Sequence, residues 1–374
     1  MPWEEVTVMA QRTEFIEQAL REGVNLRALC REFGITPRTG YKWLRRYREQ
    51  GESGLYDRSR RPKRSPRRSG PRTEDAVLKV RAAHPSWGGR KIQWTLLREG
   101  MLPAPCASTI TAILRRHDVI PPQEGEKHRP MQRFEMEYPN QLWQMDFKGR
   151  FEMMNGSACH PLTVLDDHSR FLVGLQACHA ERSRRVKHHL EGVFEQYGLP
   201  ERMLMDNGSA WQGFHTGLTF WLVRLGIQVV HGRPYHPQTQ GKDERLHRTL
   251  KDELLHHQQF LDLPDCQDKF DEWRGVYNFL RPHEALAMQT PASRYQPSPR
   301  PYAGTFPVIE YEPGDILRRS DVYGRVLFHT KHFRIGKAFR LSTVALRPTE
   351  EDGVFNVYFV HQRIAQIDLR SDNP

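Results

Sequence analysis

Residues 140–151 read NQLWQMDFKGRF, and this stretch decides the fold of the central part of the chain. Apolar and polar side chains alternate along it, with Trp143, Met145 and Phe147 on one face and Asp146 on the other, which is the two-residue period of a β-strand. An aspartate inside such a β-prone run costs stability unless it has a partner. The stretch therefore predicts a strand whose carboxylate has something to bind.

The segments that follow this strand predict an α/β core. Residues 160–178, HPLTVLDDHSRFLVGLQAC, alternate like two further strands around a short polar turn. Residues 181–198 have the pattern of an amphipathic helix, and residues 201–209, ERMLMDNGS, that of a short strand ending at Asp206. The predicted order is three strands, helix, strand, helix, strand, loop and helix.

Three carboxylates are spread over this core. Aspartates at strand ends of a mixed sheet are well placed to converge at the edge of the sheet, and the helix with Glu244 can be brought against the same edge. Carboxylates held together raise each other's pKa unless cations neutralise them. Oxygen ligands of this kind suit Mg²⁺ or Mn²⁺, and two such ions can serve phosphodiester chemistry. Asp146, Asp206 and Glu244 are therefore the candidate catalytic residues and metal ligands.

Basic side chains surround Glu244 in PYHPQTQGKDERLHR, residues 234–248. Arg248 and Lys251 share one helix face with Glu244, and we take both as DNA contacts together with Gln240 and Lys242 at the loop–helix junction. A row of surface ion pairs on an ordinary helix is the alternative, because such rows are common.

Residues 1–56 are predicted to form a helix-turn-helix domain of three short helices. The last helix has Thr36 as its N-cap and Pro37 at its first position, and Tyr41, Leu44 and Tyr47 are expected to face the core. Such a helix enters the major groove of DNA. Its outward side chains are the candidate DNA contacts, namely Arg38, Thr39, Lys42, Arg45 and Arg46. A protein-binding module with a basic surface is the alternative.

A basic linker at residues 57–70 leads to a second helical domain. Its candidate phosphate contacts are Arg58, Arg60, Arg61, Lys63 and Arg64, although a solvated spacer is the alternative. Residues 71–120 are predicted to form a second helix-turn-helix domain with Arg115 and Arg116 on its last helix. Residues 121–133 are predicted to be a linker, and residues 134–300 the catalytic core.

Residues 305–374 are predicted to form a small β-barrel domain, because short alternating strands are separated by Gly and Asp turns. Its Arg and Lys residues fit a contact with DNA or protein. A stabilising cap without ligands is an equally good interpretation.

The totals alone do not choose the partner, because a basic balance is compatible with RNA, DNA, anionic lipid or no specific partner. The net charge of +11 suits a polyanionic partner, and no run of about 18 apolar residues predicts a membrane span. The N-terminus lacks the apolar segment of a signal peptide, and the five scattered cysteines are typical of reduced thiols. We expect a cytoplasmic, nucleoid-associated protein with neither a membrane partner nor a small-molecule substrate.

Five strings in this order resemble the integrase-like transposases of bacterial insertion sequences, which share their catalytic core with retroviral integrases. They are WQMDF at 143–147, VLDDHSRF at 164–171, DNGS at 206–209, PYHPQTQGKDERLHRTLK at 234–251 and YNFLRPHEAL at 277–286. The likeness extends through the helix-turn-helix region. It implies an RNase H-like α/β/α core whose Asp-Asp-Glu triad, here Asp146, Asp206 and Glu244, binds two Mg²⁺ or Mn²⁺ ions.

The same resemblance separates these residues from neighbouring carboxylates. The residue before Glu-Arg is usually neutral in the family, so Glu244 rather than Asp243 is expected to be the ligand. Asp166 and Asp167 are expected to form a turn between strands rather than a metal site.

The resemblance implies a multidomain α/β DNA transposase. The tandem helix-turn-helix units would bind the terminal inverted repeats of a mobile element, and the core would cleave a strand and transfer it to target DNA. Because two element ends must be joined, a homodimer or larger assembly on double-stranded DNA is expected. A non-catalytic regulator, or a decayed transposase that represses its own element, is the alternative. A nuclease acting on RNA hybrids is a third interpretation, which the helix-turn-helix units disfavour.

Overall fold

The computed structural model describes residues 7–58, 68–120, 135–181, 183–205, 216–231 and 241–371. They divide into two compact units, one up to residue 68 and one from residue 69 onward. Each unit has its own buried apolar core, and each is described by itself.

The first unit is built from three helices, α1 (Val8–Ala19), α2 (Leu26–Glu32) and α3 (Pro37–Gln50), and a 3-10 turn at Gly51–Leu55. The predicted N-cap of α3 is confirmed, since the Thr36 side chain accepts a hydrogen bond from the Thr39 N–H and Pro37 occupies the first turn.

The core of this unit differs from the prediction at one position. Trp43 and Leu44 are buried on α3 and Tyr47 packs against them, but Tyr41 is 55% exposed, so its assignment to the core was wrong. Strict three-residue steps drift around a helix of 3.6 residues per turn, which moves Tyr41 off the buried face. Gly40 lies at the contact instead, because a Cβ there would collide with Cys30 and Phe15.

The second unit begins with three more helices, α4 (Pro71–Ala83), α5 (Gly89–Arg98) and α6 (Ala107–Arg116). They share a core that includes Val77, Ile92 and Ile110. The buried carboxylate of Glu74 ties α4 to the end of α6, where Arg116 donates to one oxygen and His117 Nε2 lies 2.9 Å from the other.

A mixed sheet forms the centre of the second unit. Its strands are β1 (Leu142–Phe147), β2 (Phe151–Glu152), β3 (Ala158–Asp166), β4 (Leu172–Cys178), β5 (Arg202–Met205) and β6 (Gln228–His231). The sequence of neighbours is β4, β3, β1, β5 and β6, antiparallel between the first three and parallel between the last three, while β2 pairs with the start of β3. The predicted order of elements is confirmed, with β2 as an addition.

Helices cover both faces of this sheet. Helices α7 (Ser183–Tyr197) and α8 (Gly217–Arg224) pack over Trp143 and Met145, whose predicted common face is confirmed. Helices α9 (Gly241–Leu250) and α10 (Leu263–Gly275) pack over Leu165 and Leu172 on the other face. Each continues as a π-helical turn, at Lys251–Leu255 and Val276–Leu280. The result is a three-layer α/β/α core.

The last part of the chain contains six short strands. They are β7 (Ile316–Arg319), β8 (Arg325–Phe328), β9 (Lys331–Arg334), β10 (Thr343–Pro348), β11 (Val354–Phe359) and β12 (Gln362–Asp368). Strands β12, β11, β10 and β7 form an antiparallel sheet, and β8 and β9 form a hairpin.

The predicted β-barrel is not confirmed, because the described strands form open sheets. A single bridge between Ser320 and Val326 connects the hairpin to the end of β7. Phe359 stacks on Phe220 of α8, with ring centroids 4.9 Å apart, so this part buries apolar side chains against the core without closing on itself. No helix in the described ranges is long and apolar enough to cross a membrane.

Candidate active site and DNA-binding surfaces

Asp146 lies near the end of β1, on the side of the sheet that α9 covers. Its side chain is 23% exposed, and Oδ2 lies 3.9 Å from Nδ1 of His247 on α9. Burial, with a smaller effect of Lys148, lowers the pKa of His247 to about 4. His247 is therefore neutral at pH 7, and its contact with Asp146 is not an ion pair. The other ring nitrogen, Nε2, lies 2.9 Å from the hydroxyl of Thr163.

Glu244 lies in the first turn of α9, with its side chain exposed. The preceding residue, Asp243, is buried, and its Oδ1 makes no hydrogen bond to the part of the chain that the structure describes. The pKa of Asp243 is raised well above its usual value, first by burial and then by the negative charges of Asp146, Asp167 and Glu244. Asp146 and Glu244 thus both act on one buried group, which places β1 and the start of α9 within electrostatic reach of each other.

Asp206, the second aspartate of the predicted triad, lies outside the described residues, as does Gln240. The strand before it is described, and β5 runs parallel to β1 with Met205 opposite Met145. In the sequence, Asp146 directly follows Met145, and Asp206 directly follows Met205. No group of three or more His, Cys, Asp or Glu side chains is arranged to hold a metal ion within the described ranges.

Asp166 and Asp167 shape the turn between β3 and β4, as expected. Asp166 is fully buried and accepts hydrogen bonds from the Asn140 N–H at 2.7 Å and from the Ser169 N–H and hydroxyl at 2.8 and 2.5 Å. Asp167 is also fully buried and accepts from the Met136 N–H at 2.8 Å. Protein donors therefore occupy the oxygens of both carboxylates.

The basic residues of α9 divide into two groups. Lys242 is only 17% exposed in its side chain, and its Nζ lies 2.5 Å from Oδ2 of Asp167. Arg248 and Lys251 are exposed. Burial lowers the pKa of Lys148 next to β1, and the positive charge of Lys251 lowers it further. Lys148 and His247 were not singled out from the sequence as site residues. His247 lies near Asp146, and Lys148 near Lys251, only because α9 packs on the sheet.

The candidate DNA contacts of α3 form a basic face. Arg38, Lys42 and Arg45 are exposed, and Thr39 and Arg46 are half-buried. Lys42 and Arg46 also lie over the ring of Trp43, at 4.3 and 4.9 Å from its centroid. In the linker, Arg58 donates to Gln50, and the remaining candidates, Arg60, Arg61, Lys63 and Arg64, lie outside the described residues.

The two candidates on α6 differ in their surroundings. Arg115 is exposed, whereas Arg116 is paired with the buried Glu74. The assignment of both residues to DNA stays a prediction.

Helices α4 to α6 contact the core through a buried cluster of charges. Lys91 on α5 lies 3.3 Å from an oxygen of Glu253, and Arg281 donates to the same oxygen at 2.8 Å. Ser86 also donates to the Asp252 carbonyl at 2.6 Å. Glu253 and Arg281 are each 8% exposed in their side chains. The arrangement joins the second helical region to the π-helical turns that follow α9 and α10.

Several protein-family descriptions match consecutive parts of the chain. A helix-turn-helix domain matches residues 11–63, and a homeodomain-like domain matches residues 39–114. Two descriptions of an integrase core domain match residues 137–237 and 225–291. The C-terminal domain of IS481 family transposases matches residues 315–374.

Among curated proteins, an uncharacterized 39.2 kDa protein of insertion element IS476 from Xanthomonas euvesicatoria is 28% identical over 41% of this chain and 44% of its own length. A 31.7 kDa protein of insertion element IS407 from Burkholderia multivorans is 26% identical over 41% of this chain and 54% of its own. The chain thus spans about half the length of these relatives. The Gag-Pro-Pol polyprotein of Mason-Pfizer monkey virus is 36% identical over 30% of this chain and 6% of its own.

Among solved structures, the integrase catalytic core domain of HTLV-2 in complex with magnesium aligns with 43% of this chain and 99% of its own, at 16% identity and a TM-score of 0.34. A chain of the simian T-cell lymphotropic virus intasome in complex with a PP2A regulatory subunit aligns with 77% of this chain and 99% of its own, at 18% identity and a TM-score of 0.39. The chain thus contains regions similar to helix-turn-helix domains, to an integrase core domain and to the C-terminal domain of IS481 family transposases, and it is similar to proteins of insertion elements.

Proposed function

We propose that this chain is a DNA transposase that binds the terminal inverted repeats of an insertion sequence and catalyses strand cleavage and strand transfer. The observation that carries the proposal is the register of β1 with β5, which puts Met145 beside Met205, one residue before Asp146 and Asp206 respectively. The charges of Asp146 and Glu244 both raise the pKa of the buried Asp243. This supports placing the third carboxylate, Glu244, at the same edge of the sheet as Asp146.

Asp146, Asp206 and Glu244 would hold two Mg²⁺ or Mn²⁺ ions. Carboxylate oxygens are the donors that these ions prefer. Burial is the main cause of the raised pKa of Asp243, and the charges of Asp146, Asp167 and Glu244 raise it further, a repulsion among carboxylates that cations would relieve. When bound, such ions supply Lewis acidity and charge neutralisation at the reacting phosphodiester.

The basic side chains of the chain would hold the DNA. Arg248 and Lys251 are exposed beyond Glu244, and Lys148 lies within electrostatic reach of Lys251, so these cations suit phosphates on either side of the scissile bond. In cleavage, water would attack the phosphorus and the 3′-oxygen would leave with a proton. In transfer, the freed 3′-hydroxyl would attack the phosphorus of a target phosphodiester, the P–O3′ bond of the target strand would break, and the target 3′-oxygen would leave with the proton.

The helical regions would supply recognition. The exposed Arg38, Lys42 and Arg45 on α3 suit base edges and phosphates of the major groove, and Arg115 on α6 would extend the contact. Because two element ends must be joined, we expect a homodimer or larger assembly on DNA.

The test is a cleavage and strand-transfer assay on oligonucleotides that carry the inverted repeats found in DNA flanking the gene. Wild-type protein should cut and join them with Mg²⁺ and not with EDTA, and Asp146→Asn and Glu244→Gln should bring both activities below detection. Glu195→Gln is the matched control, because Glu195 is an exposed glutamate on α7, across the sheet from α9. Full activity of the Asp146 or Glu244 variant would refute the proposal.

A non-catalytic regulator remains the second candidate function because of the basic face of α3. Specific binding of the repeats without cutting in any divalent cation would support it. Preferential cutting of RNA–DNA hybrids would support a nuclease instead.

A further inference from the structure

The start of α9 is fastened to the sheet by one buried carboxylate, that of Asp167. Its Oδ1 accepts a hydrogen bond from the side-chain amide of Gln144 at 2.6 Å, and its Oδ2 lies 2.5 Å from Nζ of Lys242. Gln144 belongs to β1 and lies two residues before Asp146, whereas Lys242 belongs to α9 and lies two residues before Glu244. We call Gln144, Asp167 and Lys242 the Asp167 bridge.

The bridge joins the two elements that carry Asp146 and Glu244. Residues two apart in a strand project from the same face, so Gln144 and Asp146 share the side of β1 that α9 covers. Residues two apart in a helix project to nearly opposite sides, so Lys242 turns toward the protein and leaves Glu244 exposed.

The surroundings of the bridge give Lys242 more than one contact with Asp167. Asp167 is fully buried, and its backbone carbonyl accepts a second hydrogen bond from Lys242 at 3.1 Å. Without the lysine, Asp167 would keep its hydrogen bonds from Gln144 and the Met136 N–H but would lose the positive charge that offsets the cost of its burial. The contact therefore restrains how far the first turn of α9 can move from β1.

We propose that Lys242 and Asp167 are positioning residues that set the separation of Glu244 from Asp146, an inference that rests on the proposed function. Lys242 then acts inside the protein instead of as the phosphate contact that its place in a basic segment suggests. The affinity for metal should depend on this restraint, because carboxylates that share cations must be held at a defined separation.

The experiment compares full-length wild type with Lys242→Met, Lys242→Arg and Asp167→Asn. The first measurement is the affinity of the DNA-free protein for Mn²⁺, with the free ion detected by electron paramagnetic resonance. Lys242→Met should weaken Mn²⁺ binding about tenfold, and Lys242→Arg should stay within about threefold of wild type, because the guanidinium keeps the ion pair. The Mg²⁺ concentration for half-maximal cleavage should rise in parallel.

Lys269→Met is the matched control. Lys269 pairs with Asp265 at 2.8 Å on α10, so the same substitution removes a lysine–aspartate pair outside the bridge. It should leave Mn²⁺ binding unchanged. Thermal unfolding of each variant shows whether the second unit is folded, and Lys242→Met carries the test if Asp167→Asn does not fold.

The salt dependence of DNA binding distinguishes the bridge from a phosphate contact. A phosphate contact predicts that Lys242→Met lowers the slope of log affinity against log salt by about one and leaves Mn²⁺ binding at the wild-type value. That result would overturn the inference while the proposed function stands. Wild-type protein that neither binds Mn²⁺ nor cleaves DNA would overturn the proposed function and the inference with it.

Discussion

Replacing Lys91 with methionine should stabilise the chain at pH 7, although it removes an ion pair. Lys91 is 16% exposed in its side chain and lies 3.3 Å from Glu253, which Arg281 also contacts. Burial, followed by the charge of Arg281, lowers the pKa of Lys91 from 10.5 to about 8, and Glu253 opposes this only in part. One carboxylate thus serves two buried cations, and Arg281 keeps it when Lys91 is removed.

The lowered pKa sets the magnitude. A change from 10.5 to about 8 corresponds to about 3 kcal/mol by which folding disfavours the charged amine, since each pKa unit is worth about 1.4 kcal/mol. Methionine retains most of the apolar stem without the charge. We expect Lys91→Met to raise the free energy of unfolding by about 1 to 3 kcal/mol at pH 7.

The sign of the pH dependence follows from the same values. Between pH 8 and 10.5 the folded state has released the Lys91 proton and the unfolded state still binds it, so wild type gains stability as the pH rises through this window. The methionine variant lacks this gain. Its advantage over wild type should therefore shrink by about 2 kcal/mol between pH 7 and pH 9.5.

The assay is urea unfolding of the full chain at pH 7, 8.5 and 9.5, monitored by tryptophan fluorescence. Glu253→Gln is the opposite perturbation and should cost about 3 to 5 kcal/mol, because it leaves Lys91 and Arg281 without a carboxylate. Lys269→Met, at an ion pair nearer the surface, should change stability by less than about 1 kcal/mol. The reasoning is refuted if Lys91→Met loses stability at pH 7 and its difference from wild type is independent of pH.

Three further predictions concern other parts of the chain. Asn278→Ala should cost about 2 to 4 kcal/mol in urea unfolding, because the buried Asn278 amide bonds both the N–H and the carbonyl of Leu172 and its loss leaves them unpaired. Gly40→Ala should lower the unfolding temperature of the first unit at a cost of about 1 to 3 kcal/mol, whereas Gly192→Ala, with no atom near its added Cβ, should be neutral or stabilising. Arg38→Ala should weaken DNA binding and lower its salt slope by about one, and an unchanged slope would remove Arg38 from the phosphate contacts.

The order of elements in the core was predictable because it depends on local periodicity. Alternation around Trp143 and Met145 indicated β1 and its buried face, and the polar turn at Asp166 and Asp167 separated β3 from β4. Short-range chemistry also predicted the cap at Thr36. These features are decided by neighbours a few residues apart, so the sequence alone contains them.

The open arrangement of the C-terminal strands was not predictable in this way. Alternating residues indicate strands, but whether the strands close into a barrel depends on what covers their apolar face, and here Phe220 of α8 packs against Phe359. The exposure of Tyr41 has a local origin, because the 3.6-residue period of the helix moves it off the buried face, and Gly40 lies at the contact with Cys30 and Phe15.

At the candidate site, residue types were evident from the sequence and their partners were not. Asp146 and Glu244 could be named from motifs, and Lys242 looked like one more cation for DNA. Folding brought the fully buried Asp167 between Gln144 and Lys242, residues far apart in sequence, and gave that lysine a partner inside the protein. Sequence therefore determined which charges the chain carries and on which elements, whereas the packing of α9 on the sheet decided which of them neutralise one another, because Coulomb and desolvation energies depend on distance and burial in three dimensions.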